Sequence, residues 1–208
     1  MLGLPKATEL SRQLPKKAIY AKFNMNTAVK ERFDADISRI TIVNEVSPAT
    51  VAIAAGEEVK SFYVLLVTLK RRNYDERVIG QLSRLIEQNM LFVLECGGEA
   101  RLAVYHNKVM STKWSEKDAL AVSLKGLDLD AVWQNIIVQI GEVQIEQGKT
   151  LDEQLTIDER RAKLQREIGK LEKLARSEKQ PKKKFEIVTK VNALKRQMET
   201  LYDTQNRY

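Results

Sequence analysis

From Leu151 to Tyr208 the chain repeats apolar residues every three or four positions between dense charges, and the repeat is broken once, at Gln180-Pro181. A stripe with that period belongs to a helix, and a proline at the break cannot sit inside one without disrupting it. Leu155, Ile157, Leu164, Ile168, Leu171 and Leu174 mark a first helix; Phe185, Val188, Val191, Leu194, Met198 and Leu201 mark a second. Helices this long are stabilised chiefly by burying a stripe. The spacing therefore predicts an antiparallel helical hairpin. Such a hairpin is a device for gripping a partner, and it leaves the rest of the chain to supply a body of its own.

Charge follows the same division. Between Arg161 and Arg196 there are 13 Lys/Arg against 4 Asp/Glu, a surplus of nine, while the whole chain carries +7. A basic arm on a slightly negative body suggests an anionic partner, nucleic acid before membrane; a merely solvated face is the plainer alternative. Lys173, Arg176, Lys179, Lys182, Lys183 and Lys184 gather at the expected hairpin tip, and Lys70-Arg71-Arg72 forms a second basic run. These nine are the candidate nucleic-acid-binding residues. Lysines neutralise phosphates without reading bases, so any binding is expected to be non-specific and salt-sensitive. Phe185 is the one aromatic among the tip lysines, which argues against stacking on single strands.

Residues 1–148 read as an α/β body and 149–208 as the hairpin, an α+β chain overall. The opening stretch to Phe23, with Pro5 and Pro15, reads as an extended lead-in. A helix is expected from Thr27 to Ile37, capped by Asn26 or Thr27. Ile40-Val43 and Thr50-Ile53 read as strands, the second ending at Gly56. Glu58 to Lys70 is the strongest strand, apolar on both faces as a central strand is. Asn73 with Glu76 suggests a capping box before a helix bearing Val78, Leu82, Leu85 and Ile86. Met90 to Glu95 and Arg101 to His106 read as a hairpin turned at Gly97-Gly98, and Ala119 to Leu124 as an edge strand. A helix capped by Asp128 or Asp130 carries Val132, Trp133, Ile136, Ile137, Ile140 and Val143. The expected sheet is mixed, of five to six strands with flanking helices around an αβββαβ-like core.

Common catalytic arrangements are missing. One cysteine, Cys96, and one histidine, His106, allow no disulfide, thiolate zinc cage or multi-histidine metal site. No phosphate loop, dinucleotide fingerprint or nucleophile elbow occurs, and no cofactor is expected. Met1-Leu2-Gly3-Leu4-Pro5 has no apolar signal core and no run approaches a membrane span, so the expectation is a cytoplasmic protein away from membranes. The order helix, three strands, helix, strand between Thr27 and Glu95 resembles the core of restriction-endonuclease-like folds. Those enzymes hold Mg²⁺ through an Asp and an acid-x-Lys on the third strand. Here Lys70 has the right character, but Thr68 stands where the acid belongs. Glu45, Glu57 and Glu58 sit at strand ends and serve only with a different geometry.

Leu4-Pro5-Lys6-Ala7-Thr8-Glu9, Pro15-Lys16, Ser47-Pro48-Ala49-Thr50, Ile53-Ala54-Ala55-Gly56, the Val64 to Lys70 strand, Leu91-Phe92-Val93-Leu94-Glu95 and Gln180-Pro181-Lys182-Lys183-Lys184-Phe185 together resemble a prokaryotic domain-of-unknown-function family of about this length. Members of that family are often encoded beside superfamily-2 helicases and DNA methyltransferases in restriction-like antiviral islands. The resemblance implies a non-enzymatic accessory subunit whose partner is a helicase or DNA methyltransferase, with DNA as a second partner. Family members carry an acid in the long strand where this chain has leucine or threonine, which counts against the alternative, a divergent Mg²⁺-dependent nuclease. A homodimer with hairpins pairing between chains is the third reading.

Overall fold

In the structure of the protein, a computed structural model that describes residues 2–203, the extended lead-in forms an edge strand between Pro5 and Pro15. Strand β1 (Glu9–Gln13) has every side chain exposed. It is held by backbone pairing alone, so its sequence carries no apolar alternation. Helix α1 (Lys16–Lys22) starts directly after Pro15, whose fixed φ suits a helix entrance. Helix α2 (Thr27–Asp36) follows, with the Asn26 side chain accepting from the Val29 N–H at 2.9 Å. It runs straight into β2 (Ile37–Val46).

Thr50-Ile53 is not a strand. The Thr50 hydroxyl accepts from the Ser47 N–H and donates to the Glu45 carbonyl, each at 2.9 Å. The side chain thus closes a turn and competes with a ladder. The strand flanking β2 on its outer side is β1 instead, and β3 (Phe62–Leu69) flanks it on the inner side. Helix α3 (Arg77–Leu82) lacks the expected capping box. Asp75, nearer to the helix, takes the Arg77 N–H at 3.0 Å. Strand β4 (Asn89–Cys96) then returns parallel to β3, a strand–helix–strand crossover.

Gly97 and Gly98, at φ +61° and +87°, turn β4 into β5 (Glu99–His106) as their freedom at positive φ predicts. Strands β6 (Lys108–Ser111) and β7 (Ser115–Glu116) both pair with β5. The last edge strand therefore lies before Ala119-Leu124, of which Ala121 makes only an isolated bridge to Leu2. Helix α4 (Leu129–Gly141) is capped by Asp128, which accepts from the Ala131 N–H at 2.9 Å.

The sheet order is β1-β2-β3-β4-β5-β6, with β7 on β5. Because side chains alternate along a strand, two cores form. Ile19, Phe33, Ile40, Leu65, Val67, Ile79, Leu82 and Phe92 fill one. On the other face α4 lies against β5 and β6, and the Phe62 and Trp133 rings meet at 5.2 Å.

The chain divides into two compact units, residues 1–142 and 143–208. In the second, Thr150 and Glu153 form a capping box on α5 (Leu151–Ser177). Helix α6 (Pro181–Asp203) folds back along it, since only residues 178–180 connect the two. Arg161 Nη2 donates to the Leu201 carbonyl at 2.8 Å and ties the far ends together. Ile168, Ala175 and Val191 are buried, with Leu171, Ile187, Leu194 and Met198 half-buried. Leu174, Phe185 and Val188, expected on the stripe, stand 50%, 74% and 40% exposed. Neighbouring helical positions differ by about 100°. A shift of one residue thus hands the seam to Ala175 and Ile187 near the tip, where a small side chain lets helices approach closely. Thr204–Tyr208, the expected end of the hairpin, and Met1 lie outside the described residues.

Candidate nucleic-acid interface

Lys70-Arg71-Arg72 leaves the carboxyl end of β3 and enters the loop before α3. Asp36, where α2 meets β2, organises this loop. Its carbonyl accepts from the Lys70 N–H at 2.8 Å, its Oδ1 from Arg71 Nε at 2.6 Å and its Oδ2 from the Asp75 N–H at 3.0 Å. The Asp36 side chain is 2% exposed. A buried carboxylate is tolerated only when its oxygens are paired, and here both are.

Arg72 pairs with Glu99 and lies over the Trp114 ring at 5.6 Å. Arg101 approaches the same ring at 5.5 Å and the Tyr74 ring at 5.5 Å, donates to the Tyr74 hydroxyl at 2.8 Å and pairs with Glu76 at 3.3 Å. Burial raises the Tyr74 pKa, partly countered by the Arg101 charge. Lys117 pairs with Glu95 at 3.0 Å. Aromatic faces and carboxylates thus engage both guanidiniums, although the buried Arg101 Nε has no hydrogen-bond partner of its own. Of the predicted trio only Lys70 makes no salt bridge among the described residues; it helps, behind Lys16 and Tyr20, to lower the Asp34 pKa.

Sequence reading missed Asp36, Tyr74, Arg101 and Trp114 because the contacts that join them span tens of residues. The aromatic-arginine composition of residues 71–74 was the available signal.

The acids considered for a metal are dispersed. Glu45 accepts from the Tyr63 hydroxyl at 3.4 Å. Glu57 and Glu58 lie in a loop whose N–H groups point at Asp130, Glu57 N to Oδ2 at 2.6 Å and Val59 N to Oδ1 at 2.7 Å. These bonds, Val59 first, hold the Asp130 pKa below its ordinary value. Thr68 lies opposite Glu95 in the β3–β4 register. Among the described residues, no three His, Cys, Asp or Glu side chains stand together as metal ligands. Cys96 is half-buried at the end of β4, and His106 ends β5 opposite Lys108. No helix among the described residues is long and apolar enough to cross a membrane.

The other candidates share one end of the hairpin. Lys173 and Arg176 lie on the last turns of α5, Lys179 in the connection, and Lys182, Lys183 and Lys184 on the first turn of α6. Glu178 is the one acid between residues 173 and 184. None of the six makes a salt bridge among the described residues. Further along, Lys190 meets Glu167 at 3.6 Å and Lys195 meets Glu172 at 2.7 Å. The hydrogen bond from Lys195 is the main cause of the lowered Glu172 pKa.

Arg176 sits favourably at the negative end of the α5 dipole. Lys182 to Lys184 do the opposite, placing three cations at the positive end of α6 with no acid in its first turn. Three cations there cost the isolated helix some stability, and negative charge nearby would offset that cost.

Residues 2–198 match the model of a family described as a domain of unknown function (DUF4391), and the chain belongs to that family. Comparison with curated proteins gives no match, and comparison with solved structures gives none either.

Proposed function

We propose that this member of the DUF4391 family is a non-enzymatic accessory subunit of a DNA-acting complex of the restriction-like, antiviral kind. Its two-helix arm holds a helicase or DNA methyltransferase, and the lysine-rich end of that arm rests on the DNA backbone. One observation carries the reading: three lysines crowd the positive end of α6, with no acid in its first turn. Such a placement opposes the helix dipole, and phosphate oxygens relieve it. The basic run of the first unit is the weaker candidate, since Arg71 and Arg72 are committed to Asp36 and Glu99. On the arm, Phe185 and Val188 stand three positions apart on one face of α6, beyond what α5 covers. They supply apolar contact for a protein partner.

Co-purification of the full chain with a helicase or DNA methyltransferase of the same cell, with and without duplex DNA, tests the proposal. Association that Phe185→Ser abolishes is the expected result. A protein that stays alone under both conditions overturns it, as does Mg²⁺-dependent plasmid cleavage lost in Lys70→Ala.

A further inference from the structure

Away from the basic loop, the first unit contains a crevice of about 440 Å³ between α1, the strands β1 to β3 and residues 85–88. That volume lies within the range of small-molecule sites, about 300–1,000 Å³. Its walls are Leu10, Leu14, Pro15, Ala18, Leu85 and Ile86, and its floor reaches the buried core at Ile19 and Ile42.

The polar groups on its lining are few and convergent. Arg12 comes from β1, Lys22 from α1, Glu45 from β2, Tyr63 from β3 and Gln88 from the position before β4. A register shift in β2 between Ile42 and Asn44 allows Ile42 and Glu45, an odd number of positions apart, to line the same crevice. Three of these groups are already engaged. The Lys22 ammonium donates to the Leu85 carbonyl, and Glu45 accepts from the Tyr63 hydroxyl. Arg12 makes no salt bridge among the described residues, and its charge is felt at Tyr63. The crevice is thus apolar along its walls with an unmatched guanidinium on its lining. That asymmetry fits one kind of molecule: an apolar chain or ring ending in an anion that a guanidinium can hold with two parallel hydrogen bonds.

We infer that this crevice binds a small amphiphilic carboxylate free in solution, its apolar body against Leu14, Ile19, Ile42 and Ile86 and its carboxylate on Arg12. The inference is independent of the hairpin's role.

Calorimetric titration of the full chain with octanoate and, separately, with 1-octanol tests it. Octanoate is expected to bind saturably at one site. Ala18→Trp, on an exposed position of α1, fills the crevice without disturbing the core and is expected to abolish binding of both molecules. Arg12→Gln is expected to weaken octanoate about tenfold, the effect of losing one charge-assisted contact, and to leave octanol unchanged. No saturable binding at millimolar octanoate overturns the inference, as does wild-type affinity in Ala18→Trp or an equal loss for both molecules in Arg12→Gln. Arg12-dependent sedimentation with phosphatidylglycerol vesicles, blocked by Ala18→Trp, overturns the free-ligand assignment in favour of a lipid surface.

Discussion

Asp36→Asn exchanges one oxygen for nitrogen at the buried carboxylate that holds the β3–α3 loop, and its cost can be worked from the contacts. Oδ1 faces the Arg71 Nε–H at 2.6 Å and Oδ2 faces the Asp75 N–H at 3.0 Å. An asparagine offers one acceptor and one amide NH₂. In either orientation the NH₂ meets a donor, so one hydrogen bond is lost and its donor is stranded. Losing a hydrogen bond to a charged group costs about 1.5–3 kcal/mol, and breaking a fully buried ion pair about 3–5 kcal/mol. Arg71 is 59% exposed and water recovers part of its solvation, so the expected loss is about 2–4 kcal/mol. In a chain of this size each kcal/mol moves Tm by about 2–4 °C, giving a fall of about 5–15 °C. Urea unfolding of Asp36→Asn, Arg71→Gln and the double variant measures it. Because each single change strands the other partner, the double variant is expected to lose less than the sum of the singles, by about 1–3 kcal/mol. A loss below about 0.5 kcal/mol in Asp36→Asn, or strict additivity, refutes the reasoning.

Two further outcomes follow from local geometry. Asp34 is held below its ordinary carboxyl pKa of 3.8 chiefly by hydrogen bonds from Lys16 and Tyr20. A depressed folded pKa adds stability that is present above the unfolded value and is lost as pH falls through the folded one. Acid unfolding followed by circular dichroism should therefore show a shallower decline below the ordinary carboxyl range in Asp34→Asn, and an unchanged profile contradicts this. A Cβ on Gly56 would collide with the Asp130 carboxylate. Gly56→Ala is thus expected to push Asp130 off the 57–59 N–H groups and lower Tm by several degrees, about the effect of modest overpacking; an unchanged Tm contradicts it.

Where a segment's own residues decide its structure, the sequence was sufficient. Phe62 to Leu69 must be central because both faces are apolar, Gly97-Gly98 must turn, and Asn26 and Asp128 cap because a short polar side chain precedes each helix. The hairpin is equally plain from its period. Legibility ends where a distant partner decides. Strand β1 has no buried side chain and exists because β2 offers a ladder edge. Thr50 looked like strand but spends its hydroxyl on a turn. At the hairpin tip Leu174 outranks Ala175 by hydrophobicity, yet close approach of α6 favours the smaller residue. Among the candidate site residues, charge alone could not separate Arg71 and Arg72 from Lys182 to Lys184. The separation comes from carboxylates 35 and 27 positions away in the chain, at Asp36 and Glu99.

The claim that the lysine-rich hairpin end meets phosphate is tested most directly by duplex-DNA affinity as a function of salt, for the wild type and for Lys182→Glu/Lys183→Glu/Lys184→Glu. Each phosphate contact contributes about 0.9 to the slope of log affinity against log salt. The account predicts weaker binding on every sequence tried and a slope reduced by about 2–3. An unchanged slope with unchanged affinity contradicts it and moves any DNA contact off this end of the hairpin.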